Sequence, residues 1–273
     1  MRGLILSERL NNMKAYTDKD IIDIICAAER EAAELIMQAH HVITENKSSG
    51  RDVVTQYDKK VQDLLVQHFS AKVPGARFFC EENNKQDELS GEHVFIIDPI
   101  DGTMNFVSQL NHSCISVAYM SMGQLRAAAV YNPYVDEMFT ALLGQGAWLN
   151  GRAIHASQAP LSQSVVCCGT APYMPEIADR TFSLMKNVFL NSLDIRRQGS
   201  AALDLCSAAS GRAGLYFELS TSLWDFAAGL LIVQEAGGTV LDCEAKPMPL
   251  DGSKSSVLAG SKQAVEDFLK LTK

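Results

Sequence analysis

The chain has 273 residues, 47% of them hydrophobic and 21% charged, with 24 Lys and Arg against 32 Asp and Glu and a formal net charge of -8. This is the composition of a globular chain able to bury a large core, which excludes extended disorder, and the acidic balance without a basic run argues against a nucleic-acid partner. No apolar run reaches the roughly 18 residues of a membrane helix, and Gly3-Leu4-Ile5-Leu6 after Arg2 is too short for a signal peptide, so no membrane partner is expected. The seven cysteines form no C-x-x-C pair and read as reduced thiols, which predicts a cytoplasmic protein.

In chain order, residues 1–16 read as a disordered extension, with Met13 a second candidate start. From Thr17 to about Glu45, Ile21, Ile24, Ile25, Ala28, Ala32, Leu35, Ile36 and Ala39 recur at helical spacing, with Thr17 or Asp18 as cap. Lys47 to Arg51 reads as a loop. Val53-Val54-Thr55 and Asp58 open a second helix to about Ala71, where Asp58 suits a first-turn acid favoured by the macrodipole. Phe78-Phe79-Cys80-Glu81-Glu82 is a short strand ending in two acids, which surface solvation alone would explain.

Val94-Phe95-Ile96-Ile97 reads as a buried strand leading into Asp98-Pro99-Ile100-Asp101-Gly102-Thr103-Met104-Asn105-Phe106. Pro99 pushes Asp98 towards extended geometry and Gly102 permits a tight turn, so two carboxylates and the Ile100 carbonyl can meet at one point. Hard oxygen ligands of this kind suit Mg²⁺, Mn²⁺ or Ca²⁺ rather than Zn²⁺. A capped strand-to-helix loop explains the same residues. Segments 113–122, 125–131, 137–141 and 146–149 then form an antiparallel set closed by Asn150-Gly151.

A second half begins near Leu161. Strands are predicted at 164–170, 194–196, 215–218, 240–242 and 256–259. Helices are predicted at 175–190, from Gly199 to near Gly211, from Trp224 to Ala236 and from about Lys262. With no repeat or linker, residues 17–273 read as one domain with sub-lobes 17–160 and 161–273, an α+β arrangement of layered sheets and helices.

The nine residues from Asp98 to Phe106 resemble the D-P-[IL]-D-G-T-x-N-F signature of the inositol monophosphatase family, and Trp224-Asp225-Phe226-Ala227-Ala228-Gly229 resembles its W-D-x-A-[AG]-G element. Lys47 to Asp58 is similar to its K-x-x-x-x-D-x-V-T-x-x-D stretch. The resemblance covers nearly the whole chain from about residue 17 and implies an αβαβα sandwich and a homodimer. It also implies a lithium-sensitive, Mg²⁺-dependent phosphatase acting on a small phosphorylated polyol or sugar. By the same resemblance, Glu81, Asp98, Asp101, Asp225 and the Ile100 carbonyl would hold two or three Mg²⁺ ions, with Mn²⁺ as a substitute. Thr103 and Asp58, with Glu81 close by, would activate water. Gly102 and Thr103 would receive phosphate; Gly199, Ser200, Ala201, Glu218 and Lys47 would meet substrate.

Two departures from the family pattern stand out. Cys80 occupies the Gly of a G-E-E element, and Asn111-His112 replace a Pro and an aromatic. Met104-Asn105, where adenosine-bisphosphate relatives often have Lys-Glu, favours inositol 1-phosphate as substrate. Fructose 1,6-bisphosphatase, 3′-phosphoadenosine 5′-phosphate phosphatase and a non-enzymatic regulatory protein are the alternatives. Arg196 and Arg197 are either solvated strand residues or a grip for a second phosphate.

Overall fold

The computed structural model describes residues 16–46, 53–82 and 86–272. Lys47 lies outside the described residues, as does all of the predicted amino-terminal extension except Tyr16. Helix α1 (Asp18–Met37) opens with a capping box in which Thr17 and Asp20 satisfy each other's backbone N–H groups. It buries Ile21, Ile25, Ala28, Ala32 and Ile36. The predicted extension of this helix to Glu45 is corrected. Helical apolar spacing runs out after Ala39, His41 adopts φ 52°, and β1 (Thr44–Asn46) pairs antiparallel with β2 (Val53–Thr55) ahead of α2 (Gln56–Lys72).

Seven strands build the first sheet in sequence order: β3 (Arg77–Cys80), β4 (Val94–Asp101), β5 (Cys114–Ser121), β6 (Gln124–Asn132), β7 (Glu137–Leu142), β8 (Gly146–Leu149) and β9 (Arg152–Ala153). β3 and β4 are parallel and the other pairs antiparallel. Every residue of β4 is buried, as its unbroken apolar run predicts. Asn150 and Gly151, at φ 48° and 76°, turn the β8–β9 hairpin with the positive φ pair of a type I′ turn. The short helix α3 (Thr103–Val107) follows β4.

The second sheet contains β10 (Val165–Cys168), β11 (Asp194–Arg196), β12 (Leu215–Thr221), β13 (Thr239–Leu241) and β14 (Ser255–Gly260), in the order β11-β10-β12-β14-β13. Here β10 runs parallel to both neighbours, whereas β14 runs antiparallel to β12 and β13. Parallel pairing needs crossover connections, and α4 (Ala178–Asn191) and α5 (Ala201–Ala209) supply them. No helix among the described residues is long and apolar enough to cross a membrane.

Side-chain alternation along the strands sorts the interior into layers. Phe95 and Ile97 face a core with α1 and α2, whereas Val94 and Ile96 face a core with α5 and α6 (Leu223–Glu235). In the second sheet Cys167 and Tyr216 join that same middle core, while Cys168 and Phe217 pack with α4 and α7 (Lys262–Leu271). The order is helix, sheet, helix, sheet, helix, the predicted αβαβα sandwich. The glycine of W-D-x-A-A-G belongs to this packing. A Cβ at Gly229 would lie 2.5 Å from Leu205 Cδ1 and 2.6 Å from its Cβ, so the absent side chain lets α5 and α6 touch. Gly229→Val is expected to destabilise the protein by about 1–3 kcal/mol, read as a lowered urea midpoint with an unchanged slope.

Candidate active site

Residues three apart on a regular strand face opposite sides of the sheet. Between Asp98 and Asp101, however, the β4–β5 register slips: Asp98 opposes Ser116, and Asp101 opposes Cys114. Three steps on β4 match two on β5, a bulge that turns both carboxylates towards one side. The Ile100 N–H donates to Asp98 Oδ1 at 3.1 Å. Gly102 then takes φ 87°, and a Cβ there would lie 3.1 Å from the His112 carbonyl and 3.2 Å from that of Gly199. Backbone and space both require glycine.

The remaining acids arrive on other elements. Glu81 leaves β3 next to Glu82, whose backbone is clamped by the Gln62 carboxamide through two 2.9 Å hydrogen bonds. Cys80 in the preceding position is a buried strand residue paired with Ile97 and has no positive φ, so the replacement of glycine is absorbed by packing. Asp58 and Asp225 each sit in the first turn of a helix and receive its cap: the Thr55 N–H reaches Asp58 Oδ2 at 2.8 Å, and the Ser222 N–H reaches Asp225 Oδ2 at 2.7 Å. Asp101 reaches the N-terminus of α5, accepting from the Ala202 N–H at 2.8 Å, the Ala201 N–H at 3.3 Å and the Ser200 hydroxyl. The Thr103 hydroxyl lies 3.1 Å from the Ile100 carbonyl and 3.4 Å from Asp58 Oδ1.

One cavity unites these parts. Glu81, Asp101, Gly102, Thr103, Gly199, Ser200, Ala201, Glu218 and Asp225 line it. Asp98 and Asp58, each almost wholly buried, stand behind its wall. Burial first, and then the charges of Glu81, Asp101 and Asp225, hold the Asp98 carboxyl well above the ordinary range. Asp225 is raised likewise, by burial and then by Glu81 and Asp101. Asp101 is pushed up to about 6 by burial, against the lowering effect of its Ser200 and α5 donors. Hard oxygen donors under mutual repulsion fit divalent cations. Among the described residues no three acid, His or Cys side chains form a ready-made metal shell, so the fit rests on donor type and repulsion.

Glu218 closes the far side. Its oxygens accept from the Ala171 N–H at 2.9 Å and the Tyr216 hydroxyl at 2.8 Å. A Cβ at Gly169 would lie 1.8 Å from one of them, so that glycine makes the space. The Ser200 hydroxyl and the Ala201 amide, expected to meet substrate, are directed at Asp101. Gly169, Tyr173 and Asp204 also line the cavity, and none of them was singled out from the sequence. Asp204 carried a legible signal, an acid inside an otherwise apolar helical run; Gly169 carried none. Asn105, inside the signature, joins the halves: its Nδ2 donates to the His112 carbonyl at 2.7 Å and the Gln198 carbonyl at 2.8 Å. His112 lies in the loop before β5 and follows Asn111 at φ 54°.

The shifts carry a sign. A carboxyl raised to about 6 in the folded state stabilises the fold fully below its unfolded value of 3.8, and that contribution is lost as pH rises through about 6. Cations compete with those protons. Saturating Mg²⁺ is therefore expected to raise the melting temperature by about 5 °C or more at pH 8 and by much less at pH 5, as differential scanning calorimetry would show.

The model of the Inositol monophosphatase family matches residues 18–273. An inositol-1-monophosphatase of Mesorhizobium japonicum is 37% identical over 224 residues, 81% of this chain and 83% of the relative. The Nus factor SuhB of Escherichia coli is 34% identical over 226 residues, 81% and 85% of the two chains. The crystal structure of the extragenic suppressor protein suhB of Bartonella henselae superposes with a TM-score of 0.86 at 31% identity, covering 93% of this chain and 98% of that one. An IMPase/NADP phosphatase complexed with Mg²⁺ and phosphate superposes at 0.82 with 25% identity, covering 94% and 96%. A match across nearly the whole chain, with the family's acids gathered in one cavity, places this protein in the inositol monophosphatase family and supports phosphatase chemistry.

Proposed function

We propose that the protein is a Mg²⁺-dependent phosphomonoesterase of small polyol phosphates, with inositol 1-phosphate as its leading substrate. The observation that carries this reading is the gathering of Glu81, Asp98, Asp101 and Asp225 around one cavity, with the Thr103 hydroxyl between the Ile100 carbonyl and Asp58. Those four acids and the Ile100 carbonyl are the groups that would hold two or three Mg²⁺ ions, or Mn²⁺ in their place. Bound ions would supply positive charge for the phosphate oxygens and acidity for an attacking water.

The chain's own groups have separable tasks. Thr103 accepts a hydrogen bond from water while donating to Asp58, and Asp58 takes up the proton, with Glu81 close by. The Gly102 and Thr103 amides receive phosphate oxygens. Glu218 accepts hydroxyl hydrogen bonds from the polyol beside the backbone of Gly199, Ser200 and Ala201, which discriminates a polyol from a lipid. Lys47, outside the described residues, stays a candidate through its motif. No covalent phosphoenzyme is involved, since Asp98 serves as a ligand. Residues 17–273 act as one unit, because both sub-lobes supply cavity wall. A cytoplasmic, lithium-sensitive homodimer is the expected state by family membership.

Within the same enzyme class, hydrolysis of fructose 1,6-bisphosphate or of 3′-phosphoadenosine 5′-phosphate is the alternative. A regulatory role through protein contacts is the second reading, favoured by the SuhB relatives that are Nus factors. Phosphate release from inositol 1-phosphate, 2′-AMP, glycerol 2-phosphate, fructose 1,6-bisphosphate and 3′-phosphoadenosine 5′-phosphate, with Mg²⁺ or EDTA, decides between them. Activity is expected to need Mg²⁺ and to disappear in Asp98→Asn. Folded, Mg²⁺-loaded protein that is silent on every ester would overturn the enzymatic reading in favour of the regulatory one. Thr103→Val is expected to lower kcat by about 10²–10³-fold with little change in KM, as steady-state kinetics would report.

A further inference from the structure

One buried carboxyl takes no part in the acid cavity. Glu29, in the middle of α1, is 0% exposed, and neither of its oxygens meets a hydrogen-bond donor. It is buried along with Ile25, Ala28, Ala32, Ala33 and Ile36, the apolar face of α1. That face packs on Val61, Leu65 and Phe69 of α2 and on the side of β6 that presents Ala127, Ala129 and Tyr131.

The charges around this seat are committed elsewhere. Arg30, the next residue, acts on Glu29 through space, yet its guanidinium turns to Asp136 at 3.0 Å and to the Tyr131 hydroxyl at 3.3 Å. Cys26, one turn earlier, is a neutral thiol, pushed up to about 12 by burial and then by Glu29. β6 also brings Arg126, paired with Asp18 at 2.6 Å, and β7 brings Glu137, paired with Arg212. β5 brings Tyr119, whose hydroxyl meets His93, and α2 brings His68, which meets Glu31 at 3.2 Å. From α5, on the other face of the sheet, Cys206 is a thiol kept neutral by burial. Among the described residues no cation or base pairs with Glu29. Burial therefore holds its carboxyl well above the ordinary range, and the folded chain keeps it neutral.

We propose that Glu29 is a proton-operated latch on α1: the neutral carboxyl lets the helix seat on the sheet, and loss of the proton at alkaline pH drives the helix off that seat. Because α1 packs on α2, which carries Asp58 in its first turn and Gln62 against Glu82, the latch acts on the acid cavity from outside it. The folded chain keeps a proton that the unfolded chain gives up above the ordinary value of 4.5. This contribution to stability is complete below 4.5 and falls as pH rises towards the folded value.

The test follows urea unfolding and hydrogen exchange from pH 5 to 8, with Mg²⁺ present throughout, in wild type, Glu29→Gln and Glu29→Met. The acids of the cavity are common to all three proteins and cancel. Relative to the variants, wild type is expected to lose about tenfold in folding constant per pH unit, the slope of one retained proton. Its α1 amides, corrected for intrinsic rates, are expected to gain on those of the variants in the same proportion and to exchange faster than the amides of α6. Glu29→Met, apolar and of similar length, supplies the comparison if the buried amide of Glu29→Gln prevents folding. Equal pH slopes in wild type and variant overturn the proposal. So does α1 exchange that never outpaces α6, since the helix then leaves only when the whole chain unfolds.

Discussion

The repulsion among Glu81, Asp98, Asp101 and Asp225 is the constraint around which the molecule is built. Burial, and after it the charges of the neighbouring acids, raises the proton affinity of Asp98 and Asp225, and without compensation the chain would not hold these groups together. Part of the compensation comes from helix N-termini, where unpaired N–H groups and the positive end of the dipole meet negative charge. Asp225 receives the cap of α6, and Asp101 receives that of α5 from another part of the chain; Asp58, beside them, receives the cap of α2. In Asp58 and Asp225 one oxygen is tied to the cap. In Asp58 the other faces Thr103, so capping and chemistry are two uses of one side chain.

The same constraint explains the irregularities of β4. A regular strand would separate Asp98 from Asp101, and the bulge reunites them. The glycine after the bulge then brings the turn against the carbonyls of His112 and Gly199. Asn105 fastens the loop at His112 to the one at Gln198, which sets the cation-binding wall against the wall from the second half. The middle helices occupy the space between the sheets, so Asp225 and the α5 N-terminus are carried by the layer buried between them.

Conservative and adaptable features are segregated in this design. The acids depend on β-strand register and helix caps, while the opposite wall depends on side-chain placement around Gly169, Glu218 and Arg197. A protein of net charge -8 would repel phosphate, and a cation-loaded cavity reverses that field locally.

The sequence alone determined the elements whose signals are local. Period-two and period-3.6 patterns located most strands and helices, the buried run before Asp98 fixed the central strand, and contiguous motifs marked the acids. Helix α1 was overextended because apolar spacing fades gradually, whereas the turn at His41 depends on the pairing of Thr44–Asn46 with Val53–Thr55. Strand direction in the second sheet was decided by crossovers, which leave no imprint on strand composition. Asp204 showed as an acid in an apolar run, but its place in the cavity wall did not. Gly169 and Arg197 as parts of that wall were legible only in three dimensions. Each depends on which side chain from a distant element occupies the adjoining space, and no local pattern records that.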